Sequence, residues 1–372
     1  MTPDILINDG WEATIAKLGG AEALCASART SKAFLRARLI PSPVVLLRLV
    51  LAYCLGQWGL RSTTAWAASV GLVDISNVAL LKRVRRCGDW LTLLIGQLLA
   101  SNAPPASQGR LIRIIDATTV PKAEPAARRK NGVWRIHSAF DLPAERFGYF
   151  ELTDEHGGEQ LDRIPVTKGE IRIADAAHMQ PDRIAAVLEQ GGDVVLRAGW
   201  RNARWLDAAG GLFDLIGAFR AAAEPGRIDQ TVWVNRKQGP PLQLRLIAVR
   251  ARSQQAIDKA RRDARRAAQK NGYTLSPDGL FAAEWIIVVT SLPEAAFSTD
   301  DVLALYRLRW RVELGFKRLK SLIGLKGPPG KDPDSARTYV LAHLLVSLLL
   351  EPLLSALEVS PRWVSPRWGN AV

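Results

Sequence analysis

The sequence predicts a mixed α/β fold preceded by an all-helical region. Three observations carry that expectation. Apolar residues recur at helical spacing through residues 1–105, with few strand-like alternations. From residue 110 the pattern changes to short β-rich runs separated by turn residues or short helical stretches. The chain then closes in long helical stretches that carry both apolar and charged faces.

Within the first region, residues 62–86 (STTAWAASVGLVDISNVALLKRVRR) read as helix, Gly-containing turn and second helix, with Asp74 or Ser76 as the cap. The second helix ends in Lys82, Arg83, Arg85 and Arg86. Such a unit suits reading a DNA major groove, and a plain helical hairpin has the same pattern. Residues 102–109 (NAPPASQG) have the composition of a linker. Strands are expected at 111–116, 133–142, 146–154, 170–175 and 193–198, with a helix closed by Gly over 181–192. Residues 200–292 read as an insertion with its own small structure, its strands at 231–236, 243–252 and 281–292. Within it, 250–270 holds eight basic residues against two acidic ones, either a solvated face or a contact to a DNA backbone. One long helix is expected over 299–323, capped from Ser298, Thr299 or Asp300 and stopped by GLKGPPGKDPD. A buried apolar helix follows at 339–358, then a loose tail. The boundaries are therefore 1–105 (helical), 110–199 (core, first part), 200–292 (insertion) and 293–360 (core, second part).

At 372 residues the chain has room for two or three domains of roughly 100–200 residues. A hydrophobic share of 48% and a charged share of 23% exclude a disordered chain. Lys and Arg number 50 against 36 acidic residues, and the resulting +14 points to a polyanionic partner. Cys25, Cys54 and Cys87 are far apart and odd in number, which argues against zinc and disulfide frameworks and for a reducing compartment. The N-terminus has no signal-peptide pattern, and the apolar stretch 339–358 carries His343, Glu351 and Pro352. A cytoplasmic protein with no membrane span is expected. The four histidines lack metal spacing, and no phosphate-binding glycine loop or nucleotide cofactor motif occurs.

Chemistry enters through carboxylates. Ile114-Ile115-Asp116 and Ile173-Ala174-Asp175 are apolar strands that finish in Asp, and ligands of α/β sheets bind at such ends. On the helix of 299–323, Tyr306, Arg309, Glu313 and Lys320 fall within an arc of roughly 60° at about 100° per residue. Leu305, Leu308, Val312, Phe316, Leu319 and Ile323 fall on the neighbouring arc. Glu313 also lies four residues from both Arg309 and Lys317, the spacing of a surface ion-pair network.

The run Tyr306-x2-Arg309-x3-Glu313-x6-Lys320, in LYRLRWRVELGFKRLKSLIG, is similar to the Tyr-Arg-Glu-Lys signature of DDE transposases of the IS4 family. IIDATTVPK around Asp116 and EIRIADAAH around Asp175 resemble the segments bearing that family's two aspartates. Ala176-Ala177-His178 stands where the family often has Arg-Gly-Tyr. The resemblance implies a ribonuclease-H-like core with a β-rich insertion, and an enzyme that cuts DNA and joins a 3′-hydroxyl to a target phosphate. It implies Asp116, Asp175 and Glu313 as ligands of two Mg²⁺ or Mn²⁺ ions, a role that suits hard oxygen donors. Tyr306, Arg309 and Lys320 would grip the backbone of the transposon end. Arg197 resembles a further DNA contact. Trp285 is the nearest match to a residue that stacks on a flipped base during hairpin formation, and packing against a strand is the other reading of that Trp. The implied partners are terminal inverted repeats and target DNA, handled by a homodimer on DNA. Two competing readings remain for a sequence of this kind: a protein that occupies transposon ends without cutting, and a nuclease that hydrolyses without strand transfer.

Overall fold

The computed structural model describes residues 8–356, apart from Asp9, Gln57, 102–109, 124–131, Pro143, Ala223, Pro225 and Leu322. The expected linker at 102–109 and the tail after residue 360 thus lie outside the described residues.

Among the described residues six helices come first: α1 (Trp11–Lys17), α2 (Gly20–Thr30), α3 (Pro43–Leu55), α4 (Leu60–Ser69), α5 (Asn77–Val84) and α6 (Gly88–Ser101). Their starts are written locally. Ser42 Oγ accepts from Val45 N–H with Pro43 at the first helical position, and Ser76 Oγ accepts from Ala79 N–H at 3.2 Å. Ser76, not Asp74, is therefore the cap of the second helix in the basic helical pair α4–α5.

Strands follow: β1 (Ile112–Pro121), β2 (Val133–Asp141), β3 (Arg146–Thr153), β4 (Ile171–Ala174), helix α7 (Pro181–Glu189) and β5 (Asp193–Ala198). Then come β6 (Trp205–Leu206), α8 (Leu215–Ala221), β7 (Arg227–Val234), β8 (Leu242–Arg250), α9 (Gln254–Lys270), α10 (Pro277–Ala282) and β9 (Trp285–Thr290). The chain ends in α11 (Thr299–Arg307), a 3-10 turn at Leu308–Trp310, α12 (Arg311–Ser321) and α13 (Pro333–Ala356).

All nine strands form one sheet in the order β3-β2-β1-β4-β5-β9-β8-β7-β6. The first five carry the ribonuclease-H-like arrangement: β1 is antiparallel to β2 and parallel to β4, and β4 is parallel to β5. The remaining strands extend it through the antiparallel pair β5–β9. The stretch 200–292 therefore continues the main sheet instead of building a separate one. Its strand β9 hydrogen-bonds to the core edge, which local alternation alone cannot reveal.

Strand parity separates two apolar layers. Ile114, Ile173, Val195 and Val288 face α11, α12 and α13 together with the N-terminal helices. Ile115, Ala174, Leu196 and Ile287 face α7 and α8 on the other side. Helix α13 is apolar nearly all round, with Val340, Leu344, Leu345 and Val346 wholly buried. It lies among α3, α5 and α6, so one helical layer is built from both ends of the chain. Thr338 Oγ1 donates to Val84 O at 2.9 Å, and Arg337 pairs with Asp89 at 2.7 Å. The expected single helix over 299–323 is two helices joined through the tight 3-10 turn at 308–310, which holds Arg309.

Candidate active site

The positions of the two aspartates follow from register. In the β1–β4 pair, Ile112 faces Ile171, Arg113 faces Arg172 and Ile114 faces Ile173. Asp175 stands at the same sequence offset from Asp116, so the two carboxylates sit level on neighbouring parallel strands. Both lie two residues beyond a buried Ile, hence on the face that α11 and α12 cover. β4 ends at Ala174 while β1 runs on, so the strands part at the aspartates. Asp116 is thus not the end of its strand, as expected from the sequence. It sits mid-strand opposite Ser138 in β2, and Ser138 Oγ donates to its carbonyl oxygen at 3.2 Å.

Each aspartate is held differently. Asp116 Oδ1 accepts from Ala117 N–H at 2.8 Å, and the side chain is only 17% exposed. Burial pushes its carboxyl up to about 6; the Ala117 N–H and then Arg309 oppose the rise, and the charge of Asp175 adds to it. Asp175 caps the 3-10 turn Ala176–His178 by accepting from Ala177 N–H. The Nδ1–H of buried His178 donates to Asp175 Oδ1 at 3.0 Å. That hydrogen bond, above all, holds the Asp175 carboxyl below its ordinary range against the opposing effect of burial. His178 thus holds the Asp175 carboxylate in place. Its signal was the spacing of three, which folds back onto a capping Asp.

Glu313 arrives on α12. A Cβ on Gly315 would stand 2.6 Å from Phe147, so only Gly lets this helix lie so close to β3. Glu313 is 60% exposed and pairs with Arg309 at 2.7 Å. The other terminal nitrogen of Arg309 reaches Asp116 at 3.6 Å. One guanidinium therefore joins the first and third expected carboxylates, and its charge also acts on Asp175. The Tyr306 hydroxyl lies close enough to Arg309 for that charge to act on it, and burial raises it above its ordinary value. Arg197 lies on the same strand face, two residues past Val195, close enough to Tyr306 and Arg309 to feel both charges. Burial lowers its guanidinium. Lys320 is exposed, two turns beyond Glu313.

The donor set suits a hard divalent cation: three carboxylates and no softer ligand. Burial disfavours the charged form of Asp116, and a bound cation would offset that. Among the described residues, however, no three His, Cys, Asp or Glu side chains stand close enough to cage an ion as they are placed. Arg309 occupies the position between Asp116 and Glu313. A surface cleft of about 440 Å³ lies elsewhere, beside Trp200, Trp205 and Phe213, and the carboxylates do not line it. Asn202 links that region to the site by donating to Ala176 O at 3.2 Å.

Several of the expected DNA contacts are engaged within the protein itself. Trp285 is 2% exposed and stacks on Phe219, with ring centroids 4.5 Å apart and planes 7° apart. Its parity places it with Ile287, on the face opposite the aspartates. This placement supports the strand-packing reading. At the end of α5, Arg85 pairs with Asp332 at 3.0 Å and Arg83 lies over the Phe34 ring. Lys82, Arg85 and Arg86 are exposed, and Arg83 is half-buried.

Residues 107–349 match the family described as Transposase DDE domain. The transposase for insertion sequence element IS421 of Escherichia coli is 37% identical over 365 residues, which cover 95% of this chain and 97% of that protein. The putative transposase InsL for insertion sequence element IS186A of Escherichia coli strain K12 is 37% identical over 364 residues with the same coverage.

Proposed function

The chain belongs to the DDE transposase family, enzymes that cut and join DNA, and on that premise we propose that it binds the terminal inverted repeats of its own insertion sequence, excises the element and inserts it into target DNA. The observation that carries the reading is the shared level of Asp116 and Asp175 on parting strands, with Arg309 tying Asp116 to Glu313. These three carboxylates would hold a pair of Mg²⁺ or Mn²⁺ ions, which supply Lewis-acid stabilisation of the attacking and leaving oxygens when bound.

The chain's own residues do the rest. His178 fixes the rotamer and the charged form of Asp175. Arg197, Tyr306, Arg309 and Lys320 offer donors to phosphate oxygens along one edge of the carboxylate cluster. A phosphate drawn to that edge competes with Glu313 and Asp116 for Arg309, so DNA binding frees the two carboxylates. Lys82 and Arg86 on the α4–α5 pair would contact the repeat in this reading. Two ends are handled together, so the working unit is a homodimer on DNA. Hairpin formation at the cut end belongs to the same proposal on family resemblance, without Trp285 as the stacking residue. The helical region 1–105, core 110–199 and 293–360, and insertion 200–292 remain our division of labour.

A labelled duplex carrying the element's end, incubated with Mg²⁺, Mn²⁺ or EDTA, tests this. Metal-dependent nicks and joined products are expected, and Asp116→Asn, Asp175→Asn and Glu313→Gln should each abolish them. Cleavage that persists in any of the three variants refutes the assignment. Nicks without joined products would identify a simple nuclease.

A further inference from the structure

We propose that helix α9 is a second nucleic-acid contact, holding the sugar-phosphate backbone of the duplex whose cleaved end lies at the carboxylates. This rests on the transposase reading. It starts from the charge run of 250–270, which the catalytic chemistry does not use.

The structure divides those cations into two groups. Arg250 and Arg261 both pair with Glu284, which is 1% exposed, and so pin the helix to the sheet. Arg262, Arg265, Arg266 and Lys270 are exposed. Their offsets place them within an arc of about 140° on the outer face. Of the four, only Arg266 has a nearby carboxylate among the described residues, Asp263 at 4.0 Å. Arg262–Arg266 and Arg266–Lys270 are spaced at i,i+4, where like charges weaken an isolated helix. Helix α9 buries only Ala268. Neither folding nor packing explains this stripe, whereas a polyanion does.

Its place in the fold fits. β5 and β9 run antiparallel, with Ala198 opposite Ile287, so β9 begins at the edge where β5 ends. β8 finishes there too, with Arg250 opposite Trp285. The excursion that carries α9 and α10 thus leaves and re-enters the sheet at the edge beyond which Asp175 follows β4. The stripe spans about 12 Å of helix axis. At about 3.4 Å of duplex axis per phosphate on one strand, that length meets three or four phosphates.

The test uses the full-length chain carrying R262A, R265A, R266A and K270A together; Ala retains helix propensity, and far-UV circular dichroism checks the fold. Fluorescence anisotropy with a labelled non-specific duplex is recorded from 50 to 300 mM KCl. The slope of log K against log salt should be shallower than the wild-type slope by about 3–4, near 0.9 for each phosphate that is no longer neutralised. A second variant with Lys at the three Arg positions should retain the wild-type slope. An unchanged slope in a folded quadruple-Ala variant overturns the proposal. So does an unchanged slope with loss of self-association in sedimentation, which would make the stripe an interface between copies. Wild-type protein that shows the steep slope, and loses it in the variant, yet cuts nothing would support this inference while sinking the catalytic one.

Discussion

Removing Arg309 should tighten divalent-cation binding, although it deletes a residue from the family signature. The guanidinium sits where a cation would be drawn, 3.6 Å from Asp116 and 2.7 Å from Glu313. At an effective dielectric near 20, the 3.6 Å contact has a gross attraction of about 4–5 kcal/mol. Solvent and side-chain entropy reduce the net worth. Glu313 is 60% exposed, so its i,i+4 pair contributes only about 0.3–0.5 kcal/mol. Asp116 is 17% exposed, and its partly buried pair is worth on the order of 1 kcal/mol. An entering cation must displace both, about 1.5 kcal/mol together, which corresponds to roughly tenfold in affinity. Arg309→Ala should therefore bind Mn²⁺ about tenfold more tightly in titration calorimetry without DNA, and bind end DNA more weakly. Mn²⁺ affinity equal to or below that of the wild type would refute the view of Arg309 as a competing cation. It would leave Arg309 as a strut that sets the Glu313 rotamer.

Four further outcomes follow. Because Asp116 must lose its proton to hold a cation, Mn²⁺ affinity should rise with pH through a midpoint near 6, the value to which burial pushes this carboxyl; a flat profile from pH 5 to 8 would contradict the environment described. Glu351 on α13 is pushed up to about 7, mainly by burial, so the folded state holds a proton that the unfolded state releases from about 4.5, and its contribution to stability falls as pH rises between those values. Glu351→Gln keeps an acceptor for Phe147 N–H and should raise the melting temperature at pH 8 by an amount worth about 3 kcal/mol, with no gain at pH 4. Trp285→Ala should cost roughly 3–5 kcal/mol in denaturant unfolding, while Trp285→Phe should leave end cleavage intact; loss of cleavage in a stable Phe variant would return a base-handling role to this position. Deleting residues 1–101 should leave an insoluble remainder, since α13 would lose its cover of α3, α5 and α6, and a soluble cooperative core from that deletion would show that the helical layer is dispensable.

The parts of the fold that read clearly in the sequence were those set by local pattern. Short alternating runs placed the five core strands within a few residues, and Ser76 and Ser298 announced their helices through side chains that accept from the first turn. The spacing of Arg309 and Glu313 told of their pairing, which holds across the junction of the 3-10 turn and the helix that follows it. What failed needed the third dimension. Trp285 looked available because a Trp in a strand has two possible faces, and only the pairing of Arg197 with Val288 shows that the neighbouring odd-numbered positions look away from the site. The insertion looked self-contained because no local signal marks β9 as a partner of β5. The pairing of Arg85 with Asp332 was not legible because the two lie far apart along the chain.

The site has one fixed half and one adjustable half. Asp116 stands in β1 and Asp175 directly follows β4, so the β1–β4 ladder of hydrogen bonds sets where both begin. Asp116 cannot shift far without disturbing its pairing with β2, and Asp175 is tied by its cap to the turn Ala176–His178. Glu313 is different: it follows a tightened turn, is mostly exposed, and is held by a guanidinium that also serves Asp116. DNA and the two carboxylates compete for Arg309, since a phosphate that takes Arg309 leaves Glu313 and Asp116 short of positive charge and open to a cation. The two ligands are therefore expected to bind with positive coupling, each raising the affinity for the other by the same factor. Calorimetric titration of Mn²⁺ with and without a short end duplex measures that factor, and the coupling should vanish in Arg309→Ala. Equal coupling in the wild type and the variant would place its origin in simple charge attraction between the metal and the DNA.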